Sequence, residues 1–228
     1  MGDRGIIFSA PMVRALLAGR KTQTRRLLRN PEYFGCPTGD CPHQTQAECN
    51  AAMGALTVSD TRYAPGDRLY VREAHYLTDD GHNERAVYAA DGAEDHITAI
   101  KDFRHKAGLS AEWEKRHTRL RPSIHMPRWA SRLTLTVTEV RVERLQDISE
   151  ADAVAEGCVW DSADGFDVWY VPGAQMPRHG ATAIECYSLL WNTLHTDPGA
   201  RWEDNPWVVA ISFDVRNGNI DTEASNAQ

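Results

Sequence analysis

The stretch Arg132-Leu133-Thr134-Leu135-Thr136-Val137-Thr138-Glu139-Val140-Arg141-Val142 alternates apolar and polar side chains almost strictly. Leu133, Leu135 and Val137 fall on one side of an extended chain. The run is rich in β-branched residues, so it reads as a strand with one face in a core. Val140 keeps the pattern only if one residue is skipped, which places a bulge near Thr138-Glu139.

Downstream, Ser149-Glu150-Ala151-Asp152 opens a helix, with serine at the N-cap and an acid three residues later, a variant of the capping box. Ala153, Val154 and Ala155 continue it, and Glu156-Gly157 ends it. Val159 to Val171 reads as an inserted hairpin turning at Asp164-Gly165. Ala181 to Leu194 has helical periodicity, with Ile184, Tyr187, Leu190, Trp191 and Leu194 inward. Trp207 to Val215 is a closing strand, and residues 216–228 are polar and expected to be disordered.

Upstream, Pro122 and Pro127 stiffen the segment before the strand. His96 to His117 is charged and partly helical. Arg68 to Arg72 is a strand after a Pro65-Gly66-Asp67 turn, with Leu69 and Val71 on one face. Ala86 to Ala89 is a further short strand. Residues 30–64 have turn chemistry and read as an insertion loop. Near the start, Gly5 to Phe8 is a buried strand. Ser9 caps a helix that carries Pro11 in its first turn, Met12, Val13, Leu16 and Leu17 at helical spacing, and Gly19 as its stop. Lys21 to Leu28 is extended. Strands separated by a few helices, without regular βαβ alternation, indicate an α+β fold: a compact, mostly antiparallel β-barrel with flanking helices and inserted loops. The 228 residues suit one domain over residues 1–215.

No run of about 18 apolar residues is present, so no membrane partner is expected. The first residues carry Asp3 and Arg4 and lack an apolar signal core, and five cysteines are an odd number for a disulfide framework. A cytoplasmic protein is expected. The net charge of −7 argues against strong nonspecific nucleic-acid binding. The charge is uneven, however: Asp3 to Arg29 holds seven Lys/Arg against one acid, and Lys101 to Arg132 holds nine against three. These segments are either solvated faces or walls of an anion-attracting cleft.

The segment Gly19-Arg20-Lys21-Thr22-Gln23-Thr24-Arg25-Arg26 packs four cations around two hydroxyls. A lysine activates a hydroxyl once burial and cationic neighbours lower its pKa, and Arg20, Arg25 and Arg26 could be those neighbours. The alternative is a basic surface strand. Glu156 sits at a helix C-terminus, where the dipole disfavours a negative charge, which suits a general acid or base. The alternative is an exposed helix-end glutamate.

The run Leu16-Leu17-Ala18-Gly19-Arg20-Lys21-Thr22-Gln23-Thr24-Arg25-Arg26 resembles the signature of ASCH domains, which are PUA-like barrels. Gly66 to Glu73, Ile148 to Gly157 and Asn205-Pro206-Trp207 resemble further motifs of that family, in family order. Ser123 to Arg132 looks like its phage and prophage branch. The resemblance implies an amidohydrolase that removes the acyl group from N4-acylated cytosine or cytidine, as the small bacterial N4-acetylcytidine amidohydrolases of this family do. Their lysine, threonine and glutamate positions match Lys21, Thr24 and Glu156. The chain is about twice the length of those hydrolases. The resemblance also leaves room for an RNA-binding ASCH module, including one with ribonuclease activity. A phage accessory protein that binds a partner without chemistry is a third reading.

Candidate substrate contacts are Arg20, Arg26, Arg72, Glu73, His125, Arg128 and Trp129, which offer stacking faces and polar groups for a pyrimidine. Core packing is the alternative for His125 and Trp129, and a mutual cation–π pair for Arg128 and Trp129. The expected ligand is a nucleoside or modified base, or RNA. Catalysis on this scheme requires no cofactor. Cys36, Cys41, His43 and Cys49 could clamp a structural zinc in the insertion loop, or be unlinked thiols near a histidine. Cys158 and Cys186 read as core thiols.

Overall fold

A computed structural model describes residues 3–28, 61–79, 84–92, 94–163, 166–176 and 179–222. Nine strands are described: β1 (Asp3–Ile7), β2 (Gln23–Leu27), β3 (Arg68–Arg72), β4 (His75–Asp79), β5 (Glu84–Tyr88), β6 (Leu133–Arg144), β7 (Val159–Ala163), β8 (Phe166–Tyr170) and β9 (Trp207–Asn217). The described helices are α1 (Ala10–Leu17), α2 (Glu94–Ala107), α3 (Ala111–His117), α4 (Glu150–Ala155) and α5 (Ala183–Leu194). The fold is thus mixed α+β. One five-stranded sheet has the order β1-β3-β6-β9-β2, and β4-β5 and β7-β8 are two-stranded. No sheet closes into a barrel among the described residues. None of the described helices is long and apolar enough to cross a membrane.

The chain gathers into two compact units. The first comprises Met1–Ala18, Arg68–Leu135 and Val215–Gln228; the second comprises Gly19–Asp67 and Thr136–Asp214.

In the first unit, β1 runs parallel to β3, from Asp3 opposite Arg68 to Ile7 opposite Arg72. Leu69 and Val71 are buried on the face that the alternation indicated. α1 starts after Ser9 with Pro11 in its first turn and buries Met12, Val13, Ala15 and Leu16. Burying Leu16 contributes about 1.5–3 kcal/mol. β9 extends past the expected end at Val215 to Asn217, and the next residues are folded rather than loose. Ile220 is buried, and the Asn219 side-chain amide donates to the carbonyls of Arg128, Trp129 and Ser131 at 2.8, 3.1 and 2.8 Å. The polar composition of 216–222 therefore marks hydrogen bonding, not disorder; 223–228 lie outside the described residues.

In the second unit, β2 pairs antiparallel with β9, with Thr24 opposite Ile211 and Arg25 opposite Ala210. Thr138 and Glu139 are both exposed between buried Val137 and Val140, so the alternation of β6 slips where the sequence says it should. Ser149 caps α4 by accepting from the Asp152 N–H at 3.1 Å. The reciprocal half of the box is replaced, because the Asp152 carboxylate turns toward Gln23, Arg25 and Arg141 instead. Thr182 caps α5, which buries Ala183, Cys186, Tyr187, Leu190 and Trp191. Leu194 lies at the end of α5 and is 56% exposed, contrary to its helical phase. The expected 159–171 hairpin forms as β7 and β8.

Candidate active site

Gly19 takes φ of +68°, a left-handed conformation that glycine adopts without strain, and turns the chain out of α1. The following segment is pinned from two sides. The Thr22 N–H donates to the Ala155 carbonyl at 2.9 Å, and the Thr22 carbonyl accepts from the Phe213 N–H at 2.9 Å. At the other end of that contact, Glu156 ends α4 and Gly157 reverses the chain at φ of +110°.

Lys21 and Glu156, 135 residues apart, meet inside this joint. The Lys21 Nζ donates to Glu156 Oε2 at 2.6 Å and to the Glu156 carbonyl at 2.9 Å. Lys21 is 1% exposed and Glu156 3%. An ammonium at the end of α4 complements the helix dipole and offsets the unfavourable position of the glutamate. Burial pulls the Lys21 pKa below its ordinary value; Glu156 opposes that shift and nearby Arg26 adds to it. A dry lysine of this kind is the form that can act as a base.

Arg25 stands behind the pair. Its Nη1 donates to Glu156 Oε1 at 3.3 Å and to Gln23 Oε1 at 2.6 Å, and its Nη2 reaches Glu143 Oε1 at 2.7 Å. Asp152 lies 3.2 Å from the same guanidinium and also takes Gln23 and Arg141. The Tyr187 hydroxyl donates to Glu156 Oε1 at 3.4 Å. Burial, then the charge of Glu156, holds the Tyr187 phenol well above its ordinary pKa, so it remains a donor. Each carboxylate here has a cationic partner, the condition for burying charge at tolerable cost. The sequence identified Lys21, Glu156 and Arg25. It gave no sign of these roles for Glu143, Asp152 or Tyr187, which depend on contacts far apart along the chain.

Thr24 is 4% exposed. Gln23 and Arg25 share one face of β2, so the pleat turns Thr24 to the opposite face, beside Ile211. Its hydroxyl hydrogen-bonds neither Lys21 nor Glu156. Arg26 shares the face of Thr24 and lines a cavity of about 410 Å³ together with Leu28, Tyr63 and Val209. Arg20 has a buried Nη1 with no hydrogen-bond partner among the described residues.

The other expected contacts lie in the first unit. Glu73 is buried in a two-bond pair with Arg132 at 2.9 and 3.0 Å, and Arg132 also grips Asp91 and sits 3.9 Å over the Tyr88 ring. Glu73 is therefore occupied as a structural anion. Arg128 pairs with Asp3 and Asp221 and lies over Tyr70 at 5.7 Å, not over Trp129. Arg72 donates to the Ile124 carbonyl. His125 and Trp129 are exposed, so neither is a core residue.

Cys36, Cys41, His43 and Cys49 lie outside the described residues. Among the described residues, no group of three or more His, Cys, Asp or Glu is placed to hold a metal ion. Cys158 and Cys186 are free, buried thiols. Contact with Cys186, then burial, pushes the Cys158 thiol up, so it is unreactive in the folded chain. No family model, no curated protein and no solved structure matches this chain.

Proposed function

We propose that the chain is an ASCH-type protein of PUA-like fold, acting in the cytoplasm as an amidohydrolase on N4-acylated cytosine or cytidine. The observation that carries this reading is the dry 2.6 Å contact between Lys21 and Glu156, with Thr24 buried three residues further on. It supplies an amine, a carboxyl and a hydroxyl in one unit, the set that the sequence resemblance implies.

The reaction runs in two steps. The Thr24 hydroxyl adds to the acyl carbon as its proton passes to the Lys21 amine. The proton moves across the 2.6 Å contact to Glu156 and then to the departing N4. The C–N bond breaks, cytosine leaves as the free amine, and the acyl group remains as an ester on Thr24. Glu156 then takes a proton from water, the hydroxide attacks the ester, and the carboxylic acid departs as Thr24 recovers its proton. Because Thr24 lies on the face of β2 opposite Gln23 and Arg25, this scheme requires a local shift of β2 itself that brings the hydroxyl to the Lys21 amine in the substrate complex.

A rival scheme has Glu156 activate water directly while Thr24 and Lys21 hold the oxyanion. Rapid quench with N4-acetylcytidine, followed by peptide mass mapping, separates the two. The covalent scheme requires an acetyl group on the peptide carrying Thr24 and its loss in Thr24→Ala. Turnover that persists in Thr24→Ala, with no adduct in the wild type, would exclude it.

A further inference from the structure

The first unit contains a cavity of about 660 Å³, whereas Lys21, Thr24 and Glu156 lie in the second; of the cavity's lining, only His125 was a candidate substrate contact. Lys115, Arg116, Arg119 and Arg121 line it, together with His125 and Trp113. Glu112 is the one carboxylate in the lining. Glu114, the other acid of α3, is taken by Arg104 and offers no neutralisation there.

Most arginines around this cavity's sequence neighbourhood are paired: Arg104 with Glu114, Arg128 with Asp3 and Asp221, and Arg132 with Glu73 and Asp91. The four cations of the cavity form no ion pair with a described acid. Arg121 is fixed through its backbone, which exchanges hydrogen bonds with His75 at 3.1 and 2.8 Å, while its buried Nε has no partner among the described residues. Helix-dipole stabilisation accounts for Lys115 and Arg116 at the end of α3. It does not account for Arg119, Arg121 and His125, which follow the helix. Concentrating like charges around a concavity costs electrostatic energy that a bound anion would offset.

The wall is also aromatic. Trp113 stacks on His117 with centroids 4.1 Å apart, and Phe103 lies 5.7 Å from its ring. The Ser110 hydroxyl caps the helix at the Trp113 backbone N–H, and the His117 and Phe103 rings pack against the indole itself. Fixed cations beside a held aromatic ring match a ligand with a phosphate and a flat base. We infer that this cavity binds the phosphate of a nucleotide, either free or within a single-stranded RNA, with Trp113 against the sugar or base. The inference is independent of the amidohydrolase reading, because it concerns binding and not turnover.

The test is calorimetric titration of the full chain with cytidine, 5′-CMP and a single-stranded oligocytidylate, each at several salt concentrations. The phosphate-bearing ligands should bind, with cytidine weaker by about tenfold or more, the worth of one lost charge-assisted contact. Equal affinity for CMP and the oligonucleotide assigns the site to a free nucleotide. Tighter oligonucleotide binding, with affinity falling steeply as salt rises, assigns it to RNA. The double variant Arg116→Gln, Arg119→Gln alters exposed side chains and should weaken the phosphate ligands by about tenfold or more on the same energetic ground, at unchanged unfolding midpoint. The inference fails if neither phosphate ligand binds, if cytidine binds as well as CMP, or if the double variant binds like the wild type.

Discussion

Lys21 carries an amine that has left water for a joint between α4 and β2, where its partners include the Glu156 carboxylate and the Glu156 carbonyl. In the unfolded chain it titrates near its ordinary 10.5, and in the folded chain lower, chiefly because it is buried. Between those two values the unfolded chain binds the extra proton, so the Lys21 contribution to stability rises with pH across that window. Lys21→Met removes this titration and keeps an apolar stem of similar length. Urea unfolding of both proteins over a pH series should show the wild type gaining on the variant as the pH climbs toward 10.5. A gap that stays constant with pH would mean that the folded chain holds the Lys21 proton no less tightly than the unfolded one.

Elements with a strong period were legible. β3 and β6 alternate, α1 and α5 repeat apolar residues at helical spacing, and α4 announces itself with Ser149. β4 was not legible, because His75-Tyr76-Leu77-Thr78-Asp79 lacks clean alternation and depends on pairing with β5. The candidate site was legible where chemistry is local to the segment and closed where it is not. Glu73 looked like a substrate contact because Arg132, 59 residues away, gives no sign in sequence of being its partner. Tight packing at element junctions is similarly hidden. A Cβ at Gly180 would lie 2.4 Å from the Cys186 backbone nitrogen in the first turns of α5, so strand bridge and helix cannot both stay in place. Gly180→Ala should lower stability by about 1–3 kcal/mol, the usual cost of overpacking, in urea unfolding. A neutral substitution would show that the junction gives way freely.

For the whole molecule, the charge distribution follows two rules. Cations in the second unit, such as Arg25 and Arg141, are bound into ion pairs around the Lys21–Glu156 contact. Among the described residues, the first unit keeps a separate set outside ion pairs around its own cavity. A net charge taken over 228 residues hides both arrangements; it spoke only against strong nonspecific nucleic-acid binding, while the run of cations from Lys101 to Arg132 already marked a candidate cleft. The central claim remains the chemistry of the buried amine and carboxyl. Its most direct test is the absorbance time course of N4-acetylcytidine with the wild type and with Glu156→Gln. The account predicts conversion to cytidine by the wild type and a loss of at least about a hundredfold in the variant, the scale of a missing general acid–base. No conversion by the wild type, or equal rates for the two proteins, would contradict it.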